Sequence, residues 1–132
     1  RAERAVEAPA PPVPVTLPVP GAVAFGVWEV RCDTAEDAHA EDGVLDRAAL
    51  ADELLVRPWA PGDRMAPVGL EGTKSLQDLF TSRRVPRARR ATLPVVVCGG
   101  EIAWVPGVAT SARFGVTAAT RSAVRLTATA FA

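Results

Sequence analysis

Residues Gly69 to Phe80 read GLEGTKSLQDLF, and the order Gly, Gly, Lys, Ser is that of a loop built to hold phosphate. A Walker A loop sets four residues between its glycines and a lysine directly after the second, so that loop amides and an ammonium converge on the phosphates of a nucleotide. Here two residues separate Gly69 from Gly72, Thr73 comes before Lys74, and Glu71 puts an anion where the phosphates would lie. ATP is a poor fit. Two other roles suit the same residues: turn backbone ahead of a helix, or free amides at a helix start that meet one nucleic-acid phosphate together with Lys74. The second cluster is RRVPRARR, Arg83 to Arg90. Guanidinium forks favour bidentate phosphate contacts, and such a run is as readily a solvated charged face, so the two readings stand level.

The remaining reactive side chains assemble no catalytic set. His39, the single imidazole, sits among acids, and Cys98 lies inside an apolar run where a thiol is inert. Ser75 is explained by helix capping and Asp63 by a turn. One histidine and two cysteines fall short of the four ligands of an ordinary zinc site. The chain has no Tyr, and most of its Trp and Phe sit in apolar runs. Single-strand readers need exposed rings to stack bases, so contact with a duplex backbone fits better. Trp59, between prolines, is expected to pack in the core.

The net charge of zero conceals a segregation. From Glu29 to Glu53 nine acids face Arg31 and Arg47 alone, whereas from Arg57 to Arg90 eight cations face Asp63, Glu71 and Asp78. Opposite fields on one small body suit a face turned toward a polyanion and another kept away from it. The 132 residues suffice for one domain with a core. No apolar run approaches the roughly 20 residues that cross a bilayer, so no membrane partner is expected. Two cysteines are too few for a secreted disulfide scaffold, and a pair of buried thiols in a reducing cytoplasm is the expectation.

Positioning these groups requires a frame. Residues 1–12, rich in Ala, Glu and Pro, read as a linker, and with Arg1 first and no leader pattern the chain reads as a piece of something longer. Residues 13–132 then form the domain. Val13 to Pro20 alternates aliphatic residues with proline and predicts an edge strand. Ala22 to Val30 predicts a core strand with Gly26 as bulge or turn, followed by an acidic loop until Asp46 caps a helical turn. Leu54 to Pro58 predicts a strand, and APGD a type II turn. Ser75 and Asp78 start a helix with Leu76, Leu79 and Phe80 on one stripe; Pro86 ends it and opens a second short helix through Arg90. Residues 95–105 predict a buried hairpin turning at Gly99 and Gly100. Thr117 is expected to cap one more helical turn, and AVRLTATA to add a strand.

Leu54 to about Leu126 resembles the C-terminal domain of bacterial tRNA(Ile)-lysidine synthetase. The resemblance is carried by RPWAPGDR, Gly-x-x-Gly-x-Lys leading into LQDLF, Arg84 before Val-Pro, RR followed by LP, and a hairpin ending in AWVPG. Family members often carry Asp after the second Arg of the pair, where Ala91 stands here. The resemblance implies an α+β, strand-rich, layered β-sandwich-like core with two or three short helices, similar to a tRNA-binding module shared with the phenylalanyl-tRNA synthetase β subunit. It implies a parent enzyme that uses ATP and Mg to attach lysine to the wobble cytidine of tRNA(Ile). The Ser-Gly-Gly-x-Asp-Ser loop of that catalytic domain is absent here, so no catalytic residue and no cofactor are expected in these residues. The expected tRNA contacts, on the acceptor-stem side, are Arg57, Arg64, Gly72, Lys74, Arg83, Arg84, Arg87, Arg89 and Arg90. The catalytic domain of the same chain is the other expected partner, and a homodimer is left open. The alternative is a protein-interaction domain that docks the catalytic domain or a second subunit without touching RNA.

Overall fold

The computed structural model describes residues 10–36, 39 and 41–131; most of the expected linker lies outside them. Alternating proline confines β1 (Val15–Pro18) to a sheet edge. β2 (Gly21–Phe25) and β3 (Trp28–Ala35) pair as a hairpin in which Gly26, at φ +58°, is a turn residue. After β4 (Val44–Asp46), the Asp46 carboxylate accepts the Ala48 N–H at 3.0 Å and caps one 3-10 turn, Arg47–Ala49. β5 (Glu53–Arg57) leads to two short strands, β6 (Arg64–Met65) and β7 (Lys74–Ser75), which pair with each other. Helices α1 (Leu76–Ser82) and α2 (Arg87–Arg90) follow, then β8 (Val95–Cys98), β9 (Glu101–Val105), β10 (Ala109–Thr110) and β11 (Ala123–Ala130).

Every residue of β8 is buried, which requires a sheet covered on both faces. β8 is the centre of a five-stranded antiparallel sheet ordered β1-β5-β8-β9-β10. On one face Val96, Cys98, Ala103 and Trp104 join Leu17, Val30, Cys32 and Leu126, the core shared with a four-stranded sheet ordered β2-β3-β11-β4. On the other face Val95, Val97, Ile102 and Val105 meet Met65 of β6 and Leu76, Leu79 and Phe80 of α1. Alternation along β8 sorts its side chains between the two cores. Opposite it, a bulge between the Val96–Trp104 and Val97–Ile102 pairs admits Ala103 as the extra residue, so Ala103 and Trp104 both face the inter-sheet core. Burial of each large α1 side chain contributes roughly 1.5–3 kcal/mol, which holds this seven-residue helix where its own hydrogen bonds could not.

Three expectations need correction. The segment after Cys32 does not become loop at once: β3 runs on to Ala35 because β11 pairs with its whole length, and β4 pairs with β11 on the other side. Pro86 does not end α1, which stops four residues earlier in a turn described below. Around Thr117 there is a hydrogen-bonded turn in place of a helix, with the Ala119 N–H donating to Thr117 Oγ1 at 3.2 Å and the Thr120 N–H to the Thr117 carbonyl at 3.1 Å.

Candidate nucleic-acid interface

The cations after β5 are carried by the outer layer, the elements that cover the second core. Arg57 turns its guanidinium on Asp63, with Nη1 donating to Oδ2 at 2.9 Å and Nη2 to Oδ1 at 3.1 Å. The same carboxylate takes the Ala60 N–H at 2.8 Å, and the Asp63 N–H closes on the Ala60 carbonyl at 3.1 Å around Gly62, whose φ of +93° is what a type II turn demands. Arg57 therefore braces the turn with its charge already matched. The Asp63 carbonyl accepts the Leu76 N–H at 2.9 Å, and Ser75 Oγ accepts the Asp78 N–H at 3.1 Å. Two of the first three amides of α1 are thus in use, and what this end offers a phosphate is Lys74 and the loop before it. Gly72 lies in that loop at φ +67° with open space where a Cβ would stand, so conformation and not crowding selects glycine. Arg64 is exposed and donates from Nη2 to the Thr73 carbonyl and hydroxyl, at 3.3 and 3.2 Å, which closes the β6–β7 loop.

The arginine run begins where α1 ends. The Val85 N–H reaches back to the Phe80 carbonyl at 2.9 Å and the Arg84 N–H to the Thr81 carbonyl at 3.1 Å, the two bonds of a Schellman termination. Its left-handed position, normally glycine, is occupied by Arg84 at φ +57°. Arg83, the C-cap, donates from Nε to the Val108 carbonyl at 3.2 Å. Arg84, Arg87 and Arg89 are exposed. Arg90 is half-buried: Nε donates to the Val85 carbonyl at 3.0 Å, and the guanidinium carbon stands 5.4 Å from the centre of the Phe80 ring. Trp59 meets the same ring edge-on, centroids 5.5 Å apart at 85°. The stack Arg90–Phe80–Trp59 joins the 57–64 turn to the 83–90 run across the chain.

Among the described residues the two charge blocks form no ion pair with each other. The acids ahead of β5 pair with cations outside the basic run: Glu29 and Asp33 with Arg31, Glu41 with Arg125, Asp52 with Arg47. The hydrogen bond from Arg125 holds the Glu41 carboxyl below its ordinary value. Among the described residues, no ion pair ties Lys74, Arg83, Arg84, Arg87, Arg89 or Arg90 to a carboxylate. Beside Arg83 opens a groove of about 920 Å³ between the 67–70 loop and residues 107–116, with Glu41 and Asp42 on its rim. Val68 and Leu70 stand on its wall 52% exposed, a feature the sequence shows only as aliphatic residues in a glycine-flanked loop.

A family described as the TilS substrate C-terminal domain matches residues 54–126, more than half of the chain. The chain belongs to that family. All nine expected contact residues fall inside the TilS-family segment. A crystal structure described as that of the TILS C-terminal domain superposes with a TM-score of 0.74 at 28% identity, covering 91% of this chain and 99% of that one. The tRNA(Ile)-lysidine synthase of Symbiobacterium thermophilum is 49% identical over 83 residues, 63% of this chain and 17% of the relative. That of Caldanaerobacter subterraneus is 30% identical over 106 residues, 79% of this chain and 23% of the relative. The chain thus spans about a fifth of the length of these relatives. The family's strand-rich architecture with few helices is the one seen here.

Proposed function

We propose that this domain, residues 13–132, docks tRNA by its backbone on the acceptor-stem side, as the C-terminal part of a longer tRNA(Ile)-lysidine synthase that attaches lysine to the wobble cytidine. The observation that carries the reading is the arginine run, projected from one turn and one short helix with none of its members matched by a carboxylate among the described residues. Arg84, Arg87 and Arg89 make the phosphate contacts, with Arg83 and Arg90 held beside them by backbone carbonyls, and Arg64, Lys74 and the Gly72 backbone extend the footprint at the other end of α1. Arg57 contributes by holding the turn. An aliphatic and aromatic outer core lies beneath these groups and fixes the backbone that carries them.

ATP and Mg belong to the catalytic part of the longer chain, in the cytoplasm where tRNA is modified. Lys74 does not suit a nucleotide loop here, since it lies in a strand paired with Met65. The test is a filter-binding titration of this chain with an acceptor-stem minihelix at two salt concentrations. Replacing Arg87 by Gln should weaken binding to all duplex RNAs alike and reduce the salt slope by about 1. Should the triple change of Arg84, Arg87 and Arg89 to Gln leave affinity and slope where they were, the docking assignment is wrong.

A further inference from the structure

The groove beside Arg83 is preformed. The Val68 N–H donates to the Thr110 carbonyl at 2.9 Å, the Ala112 N–H to the Ala66 carbonyl at 2.7 Å, and Pro67 bridges to Ser111, so the wall bearing Val68 and Leu70 is fixed to the rim of the five-stranded sheet. Val108 and Val116 continue the aliphatic lining. Two half-exposed aliphatic side chains held rigidly over such a groove leave apolar area in water that a packed partner would remove.

Chemistry selects the partner. Bases stack on flat rings, and the walls here are aliphatic, shaped for side chains. Glu41 and Asp42 both line the groove; Arg125 already meets the Glu41 charge, whereas no cation pairs with Asp42 among the described residues, so a cation is favoured beside Asp42 over a phosphate. Relatives are several times longer than this chain, which leaves ample polypeptide outside the domain to supply the occupant.

We propose that the groove between the 67–70 loop and residues 107–116 docks a segment of the longer polypeptide, apolar in its middle and bearing Lys or Arg where it passes Asp42. This rests on the reading that the domain is carried by a longer synthase, and it is independent of RNA contact. Docked next to the C-cap of α1, the segment would fix the cationic face relative to the rest of the molecule.

Amide hydrogen exchange of residues 67–70 and 107–116, compared between this chain and the longer protein without RNA, tests it. Exchange there should slow about tenfold or more in the longer protein. The double change V68D/L70D should abolish the slowing and leave the unfolding temperature of the 132-residue chain unchanged, since both side chains are half-exposed. Equal exchange in the two proteins, or slowing that survives V68D/L70D, overturns the proposal. So does slowing that appears only after tRNA is added, which makes the occupant RNA, or only at high concentration of this chain alone, which makes it a second copy. Minihelix affinity of the 132-residue chain, measured separately, reports on the RNA-docking reading whatever the exchange shows.

Discussion

Among the described residues, Arg84 is the one non-glycine held in a left-handed conformation. A left-handed conformation costs an L residue with a Cβ about 1 kcal/mol relative to glycine, and a Schellman turn asks for that conformation at this position. Val85 meets the turn's other requirement by packing against the second core next to Phe80. An arginine in a glycine's place makes sense if its exposed guanidinium has a task. Arg84→Gly should therefore raise stability by about 0.5–1 kcal/mol in urea unfolding while lowering minihelix affinity. Arg84→Ala should lose the same affinity without the gain in stability, because alanine keeps the strain. Equal stability of the two variants would show that the turn is unstrained. Asp63 presents the opposite case, where charge is spent on structure. Asp63→Asn should destabilise by about 1–3 kcal/mol, since it breaks a half-buried bidentate pair and weakens the turn that tethers α1. The measurement is again the urea midpoint.

At the scale of elements, what the sequence discloses is what short-range chemistry decides. Gly99 and Gly100 adopt φ of +58° and +86°, so the hairpin of β8 and β9 is written in its own two residues. Ser75 caps α1, Asp46 caps its 3-10 turn, and Gly62 makes the type II turn for the same reason. β4 and the far end of β3 are set by β11, dozens of residues away, and no local pattern announces them. The site divides in the same manner. The density of cations in 83–90 is plain in the sequence, whereas the neutralisation of Arg57 and the seating of Arg90 on Phe80 depend on side-chain direction in three dimensions. The acidic loop before β4 gives another instance. Asp42 Oδ1 accepts the indole N–H of buried Trp104 at 3.2 Å and the Thr110 hydroxyl at 3.4 Å, so an apparently solvated acid pins the loop onto β9 and β10. Asp42→Ala should cost about 1–3 kcal/mol by stranding that N–H, and Asp42→Asn, which keeps an acceptor, distinctly less, as read from denaturant midpoints.

In the molecule as a whole, the two sheets share one core, and the two thiols mark it. Cys32 on β3 and Cys98 on β8 are both free and both buried in the cluster between the sheets, so a reagent reaches either only if the layers part. Burial and the nearby Asp33 charge push the Cys32 thiol from its usual 9.0 up to about 11. The folded state therefore holds the proton more tightly than the unfolded chain does. The stability this contributes is complete below pH 9.0 and is lost as pH rises toward about 11, because the unfolded thiol ionises first. At pH 8 a disulfide reagent should leave both cysteines of the native chain unmodified and label both in denaturant. The labelling rate should rise with urea along the global unfolding curve, not ahead of it. The urea midpoint should fall between pH 9 and pH 10.5 by more in the parent than in Cys32→Ala, which lacks the titrating group. If the parent and the variant lose stability in parallel across that interval, Cys32 is not the group that couples proton release to separation of the sheets.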